Sequence, residues 1–232
     1  MSKNSFYNWP SVYHSLHPIL KSERKRWEQY LKGRQGIRVL ELGVGGARLA
    51  PLFQKCSYLG LDISFEMLKS SNAKAGLLQG NWLQIPFADQ TADLILLLNN
   101  SIHHCSCESQ LSLLLAQIKR VLRPESGTLY LEFLEQEKVL EALRENQLNS
   151  SRQIELNKKM IQVEERIRRR NSSSLIVQWS LPELSLSMEE EFFLYSTQAI
   201  LRLMEEFGLQ RDTIWGKSGN NDLQAGFFFK QS

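Results

Sequence analysis

Along the chain, short apolar runs that end in polar or turn residues alternate with stretches of helix-spaced polarity. The first clear run holds Ile37, Val39, Leu40 and Leu42 with no turn residue among them. Such a run predicts a strand buried on both faces, as parallel strands of α/β proteins are. Glu41 and Leu42 lead straight into Gly43-Val44-Gly45-Gly46. Glycines let the backbone turn sharply, take φ > 0 and approach a ligand closely. Ala47 to Gln54 then reads as a helix whose N-terminal amides face the same spot, where a nucleotide-like ligand belongs.

The alternation continues with apolar runs at Tyr58 to Leu61, ending in Asp62, at Leu77 to Gln79, ending in Gly80-Asn81-Trp82, and at Asp93 to Leu98, ending in Asn99-Asn100-Ser101. Leu111, Leu114, Leu115, Ile118 and Val121 mark an amphipathic helix closed by Arg123-Pro124, and Gly127 to Phe133 reads as a fifth strand. Residues 135 to 170 turn polar, with Val139, Leu143, Ile154, Ile161, Val163 and Ile167 at spacings that predict one or two helices. Leu175 to Trp179 and Leu184 to Phe193 read as strands of a small antiparallel sheet, separated by Pro182. Thr197 to Phe207 is a predicted helix stopped by Gly208, and Leu209 to Trp215 with Gly226 to Lys230 predict a hairpin joined through S-G-N-N-D. Upstream, Ile19 to Lys32 reads as a helix between Pro18 and Gly33, preceded by Phe6, Tyr7, Trp9 and Tyr13. These aromatics either pack on the sheet edge or close over a bound ligand.

The pattern is that of a doubly wound α/β protein, in which sites lie beyond the carboxyl ends of the parallel strands. Glu41, Asp62, Asn81 and Asn99 therefore converge on one edge. The interval from Glu41 to Asp62 is 21 residues, close to the roughly 20 after which a βαβ unit offers an acid to a ribose diol. The chain divides into an N-terminal helical and aromatic segment (1–36), a core (37–134 and 196–232) and an insert (135–195).

Composition adds constraints. With 42% apolar residues in 232, one large core with an insert is favoured over two domains. A formal charge of +3 does not by itself suggest a nucleic-acid or membrane partner. No N-terminal signal pattern and no 18-residue apolar run occur, so a cytoplasmic protein is expected. The three cysteines, Cys56, Cys105 and Cys107, read as reduced thiols.

The element order, with E-L-G-V-G-G at the first turn, L-D at the second strand's end, G-N-W-L-Q-I-P-F at the third, I-K-R-V-L-R-P-x-x-G-x-L before the fifth and the terminal G-F-F-F-K, resembles class I S-adenosylmethionine-dependent methyltransferases. The resemblance covers about residues 37 to 134 and 196 to 230. It implies a mostly parallel, seven-stranded Rossmann-like sheet with an antiparallel last strand, a substrate-covering insert, S-adenosyl-L-methionine as cofactor and S-adenosyl-L-homocysteine as product. It also implies a small-molecule methyl acceptor and a monomer or homodimer. Carried over by position, Glu41 with Gly43, Gly45 and the rest of that turn would hold the methionine end of the cofactor, and Asp62 its ribose. Ile63 would lie on the adenine with Met67 nearby, and Tyr13 and Asn99 would complete the set. Asn81 stands where the family usually has an aspartate that accepts from the adenine amino group, and asparagine still offers an acceptor oxygen. Trp82 would sit beside the adenine. Asn81 and Trp82 also read as a turn residue followed by a core aromatic.

Methyl transfer from a sulfonium is an in-line displacement in which positioning is the principal lever. A nitrogen or oxygen nucleophile must still lose a proton, and histidine suits that near neutral pH. His103 and His104 follow the fourth strand at the expected edge. S-I-H-H resembles the S-I-G-H of small-molecule N-methyltransferases, including those acting on amino sugars, which favours His104 over His103. Histidines at such a junction also cap or pack. H-H-C-S-C does not favour a metal site, because adjacent side chains at a helix start diverge. Trp179, Phe192, Phe193 and Tyr195 either line the acceptor pocket or fill sheet core.

Three other readings compete. A dinucleotide-binding unit wants a small residue at the third motif position, where Arg48 stands. A nucleic-acid methyltransferase is motivated by the basic runs at Lys21 to Arg26 and Arg166 to Arg170, yet N-N-S-I replaces the N-P-P-Y-like residues that grip a flipped base, and a Pro-Cys nucleophile is absent. The third is a non-catalytic family member that only binds cofactor or partner.

Overall fold

A computed structural model describes residues 9–73, 75–145, 148–212 and 223–231. Five parallel strands, β1 (Arg38–Leu42), β2 (Ser57–Asp62), β3 (Gly76–Gln79), β4 (Leu94–Leu97) and β5 (Thr128–Leu134), form most of a seven-stranded sheet. β4 is the most apolar of these. Leu94, Ile95, Leu96 and Leu97 are all buried, as a strand covered on both faces requires. With β10 (Leu209–Arg211) and β11 (Gln224–Gln231), the order across the sheet is β10-β11-β5-β4-β1-β2-β3, and β11 runs antiparallel to both neighbours. The predicted closing hairpin is therefore present. Its first strand ends at Arg211, while residues 213–215 and the S-G-N-N-D stretch lie outside the described residues.

Helices cover both faces. On one, α2 (Lys21–Leu31) inserts Trp27, whose ring meets Phe53, Tyr130 and Phe228 at centroid distances of 5.3, 5.0 and 6.0 Å. An aromatic side chain buries on the order of 150–250 Å², so these contacts hold α2 to the sheet with several kcal/mol. On the other face, α4 (Glu108–Val121) and α6 (Thr197–Glu206) bury Leu111, Leu114, Leu115, Ile118, Ile200, Leu203 and Met204.

Two local expectations are corrected. Ala47 to Gln54 forms no α-helix. Ala47 sits in the left-handed region with φ 56°, and Pro51 opens only a short 3-10 turn at Ala50–Phe53, so the helical hydrogen-bond ladder never starts. Residues 135 to 170 hold one helix, α5 (Gln136–Arg144), and then the strands β6 (Ser150–Leu156) and β7 (Lys159–Arg169). Ile161, Val163, Glu165 and Ile167 follow a period of two, and Ile154 faces Ile161 across the pair. Asn157 and Lys158 join the two strands with φ of 51° and 64°. Both central positions are thus left-handed, as a two-residue type I′ hairpin turn demands, but lysine in the usual glycine position concealed the signal.

β8 (Ser174–Leu181) and β9 (Leu186–Phe193) complete a separate antiparallel sheet in the order β6-β7-β8-β9. Its apolar face, with Ile154, Val163, Val177, Trp179 and Met188, packs against Val12 and Leu16 of an N-terminal helix, α1 (Pro10–Leu16). The aromatic N-terminal segment thus packs on the insert. Phe6 and Tyr7 lie outside the described residues, and no helix among the described residues is long and apolar enough to cross a membrane.

Candidate active site

Between the carboxyl edge of the main sheet, α1 and the inner face of β6–β9 lies a cavity of about 700 Å³, lined by Tyr13, Gly43, Asp62, Trp82, His104, Trp179 and Glu190, among others. Its floor is the glycine turn. Gly43 and Gly45 adopt φ of 69° and 54°, and a Cβ on Gly43 would come within 3.1 Å of Ser101 Oγ and 3.2 Å of the Trp82 ring. A side chain there would be strained and would close the cavity at this point.

The turn delivers the Gly45 N–H to Asp62 Oδ2 at 2.7 Å, while Ser64 N–H donates to Oδ1 at 2.8 Å. Burial raises the Asp62 pKa above its ordinary value, and the backbone N–H groups of Ser64, Gly45 and Ile63 partly offset this. Of the carboxylate's roughly four lone-pair sites, this leaves room for a hydroxyl donor from the cavity. Glu41 is buried behind the same turn and accepts from the Tyr58 hydroxyl. Burial pushes its carboxyl up to about 7. It does not line the large cavity but a niche of about 10 Å³ shared with Tyr13, Gly43, Arg48 and Asn99, room for about one water.

Sequence reasoning missed an ionic chain that lines the cavity beside this floor through Glu23, Arg48 and Asn99. Arg48 Nη1 and Nη2 grip the Glu23 carboxylate at 2.9 and 2.6 Å, and Nη2 also donates to Asn99 Oδ1 at 2.9 Å. Burial alone would raise the Glu23 pKa, but the Arg48 fork outweighs it and holds the carboxyl below its usual value. Asn99, at φ 49°, donates its backbone N–H to the fully buried Glu132 at 3.1 Å, and Glu132 pairs with Arg26 at 3.0 Å. The Asn99 amide also reaches the Tyr13 hydroxyl at 3.5 Å, and burial pushes that phenol up to about 12. Arg48 was visible only as a misfit at the third glycine position, and nothing local marks Glu23 as its partner.

Met67 is buried at the cavity wall, and Ile63, 54% exposed, stands at its rim. The Asn81 Oδ1 accepts from Leu83 N–H at 2.9 Å and so caps a short 3-10 turn, Trp82–Gln84, while half-buried Trp82 packs on the core and faces the cavity. The two histidines separate. His103 is fully buried and does not line the cavity. Its Nδ1 meets the Phe193 carbonyl at 2.6 Å and its Nε2 accepts the Leu134 N–H at 2.8 Å, which sets the Nδ1–H tautomer. His104 lines the cavity, with its ring edge-on to Phe192 at 5.3 Å. Burial pushes both down to about 4. Trp179 and Phe192 also reach the cavity, whereas Phe193 and Tyr195 pack on the main core. No group of three or more His, Cys, Asp or Glu side chains among the described residues is placed to hold a metal ion.

The His103 contacts carry a pH signature. Its folded pKa of about 4 lies below the ordinary 6.5, so its contribution to stability is complete above about pH 6.5 and is lost as pH falls through about 4. Denaturant unfolding between pH 7 and 4.5 should show parent stability falling more steeply with acid than that of His103→Gln. Equal slopes would contradict the assignment.

Residues 40–131 match the family model described as a methyltransferase domain. No curated protein matches the chain. Among solved structures, the S-adenosylmethionine-bound amino pentose methyltransferase CalS10 from Micromonospora echinaspora, involved in calicheamicin biosynthesis, is 13% identical. It has a TM-score of 0.73, with 100% of each chain covered. The sugar N-methyltransferase KedS8 from a Streptoalloteichus species is 14% identical with a TM-score of 0.74, covering 100% of this chain and 94% of its own. The CcbJ methyltransferase from Streptomyces caelestis is 14% identical with a TM-score of 0.73, covering 99% of this chain and 97% of its own. The chain is therefore similar to a methyltransferase domain over residues 40–131 and shares the fold of these solved methyltransferases.

Proposed function

We propose that this protein is an S-adenosyl-L-methionine-dependent methyltransferase acting on a nitrogen or oxygen of a small molecule. The observation that carries the reading is the glycine turn locked onto Asp62 at the floor of a cavity of about 700 Å³, within the range of roughly 300–1,000 Å³ typical of small-molecule sites. The residues fit the cofactor. Asp62 presents free lone pairs, and the missing Cβ of Gly43 leaves a cradle against Trp82 and Ser101. When bound, S-adenosyl-L-methionine supplies a methyl group on a sulfonium that leaves as a neutral thioether.

In this reading Asp62 accepts from the ribose hydroxyls, and Gly43 and Gly45 let the backbone approach the methionine end. Glu41 serves that end from its niche through one water, with Asn99 and Tyr13 beside it. Ile63 and Met67 flank the adenine, with Asn81 and Trp82 at its far side. The chain's own contribution to rate is positioning and exclusion of water by α1 and β6–β9. His104 accepts the proton that a nitrogen or oxygen acceptor must shed, and His103 holds the junction in place through its two backbone bonds. The division into an N-terminal cover (1–36), a cofactor-binding core (37–134 and 196–232) and an acceptor-covering insert (135–195) belongs to the same reading. That similar structures belong to a sugar N-methyltransferase and an amino pentose methyltransferase supports a small-molecule acceptor. The basic run that motivated a nucleic-acid partner is laddered with acids on the outer face, Arg166 with Glu164, Arg168 with Glu189 and Arg170 with Glu191.

Two variants test the roles. Asp62→Ala should weaken S-adenosylhomocysteine binding, measured by calorimetry, by about tenfold or more, since it removes charge-assisted hydrogen bonds. An unchanged affinity would refute the ribose assignment. His104→Ala should leave that affinity intact and slow single-turnover methyl transfer about 100-fold. Because His104 titrates near 4, the parent rate should show no His104-dependent acid limb near pH 6.5. A rate equal to the parent's would exclude the proton-acceptor role.

A further inference from the structure

β9 breaks its own pattern at one position. Met188, Glu190 and Phe192 face inward, opposite Trp179, Val177 and Leu175 of β8. Glu189 and Glu191 point the other way, where Arg168 and Arg170 neutralise them. Alternation reserves the Glu190 position for an apolar side chain, and yet a carboxyl stands there, on the cavity wall. Among the described residues Glu190 has no hydrogen bond and no ion pair, and burial alone pushes its carboxyl up to about 7.

Its surroundings offer no relief. Val177, Trp179 and Phe192 are apolar or aromatic, the nearby Tyr13 phenol is neutral with its pKa pushed up, and the sheet's other inward acid, Glu165, is occupied by the Trp179 indole N–H at 2.6 Å. Arg152, also on the wall, is directed to the Leu16 carbonyl at 3.2 Å. A desolvated carboxyl without a partner destabilises a fold. The fold gains nothing from it, whereas a ligand that brings a positive charge to the cavity gains both an ion pair and aromatic faces.

We propose that Glu190 is the acceptor-recognition residue and that the acceptor is a small amine, its ammonium held by Glu190 and its body lying against Trp179 and Phe192. This rests on the methyltransferase reading and narrows it from nitrogen or oxygen to amines. Glu190 sets specificity across the cavity from the glycine turn and has no part in holding the cofactor.

The test uses the full chain saturated with S-adenosylhomocysteine and two matched probe pairs, cyclohexylamine with cyclohexanol and benzylamine with benzyl alcohol, followed by ligand-observed NMR. The parent should bind each amine about tenfold or more tightly than its alcohol, and Glu190→Gln should erase the preference while S-adenosylhomocysteine affinity stays within about twofold. Equal binding of amine and alcohol, binding of neither, or a preference that survives Glu190→Gln would overturn the proposal. The cofactor arm separates the two levels. Failure of the parent to bind S-adenosylhomocysteine would overturn the methyltransferase reading itself, whereas intact binding without amine preference overturns only the role of Glu190.

Discussion

The fork of Arg48 on Glu23 is the contact on which the site's architecture depends. It joins the first turn of α2 to the end of the glycine turn, and through Asn99 and Glu132 it reaches the ends of β4 and β5. Buried charges of this kind add little net stability once desolvation is counted, but removing one partner leaves the other stranded at a cost of about 3–5 kcal/mol. Glu23 also accepts the Leu20 N–H at 2.9 Å and so caps α2. One carboxylate therefore fixes where a helix starts and how the cavity floor is held. Trp27, four residues and about one helical turn further on, adds the apolar half of the same attachment.

With the floor held, the glycine turn can spend its conformational freedom on approach. Gly45 brings its N–H to Asp62, and Gly43 leaves room beside Trp82. The roof has a different origin. It comes from a four-stranded sheet inserted between β5 and α6, whose outer face is a ladder of ion pairs and whose inner face mixes apolar and carboxylate side chains. The proposed cofactor end thus lies on the main sheet's glycine turn, and the proposed acceptor end on the inserted sheet. Charge follows the same division, since Asp62 is satisfied by backbone donors while Glu190 is not.

What could be read from the sequence follows from the range of the forces involved. β4 and β5 announced themselves because strands buried on both faces are written as unbroken apolar runs, and β1 and β2 as apolar runs ending at the glycine turn and at Asp62. The glycine turn and the 21-residue step to Asp62 were legible because both are local in the chain. The hairpin of β6 and β7 was not, since Asn157-Lys158 lacks the usual glycine and the polar outer face diluted the alternation. The missing helix after the turn hinged on one residue, Ala47, in an uncommon conformation. Arg48 with Glu23 and Glu132 with Arg26 are long-range pairs that no spacing rule reveals. Two adjacent histidines looked equivalent as text, and only the fold sends His103 to the backbone and His104 to the cavity.

In the proposed site the cavity holds the cofactor by its ribose on Asp62, with the glycine turn beneath. A crystal structure of the protein with S-adenosylhomocysteine tests it most directly. Both ribose hydroxyls should lie within hydrogen-bonding distance of the Asp62 carboxylate, with the Arg48 fork on Glu23 preserved. A nucleoside bound elsewhere, or a ribose turned away from Asp62, would contradict it.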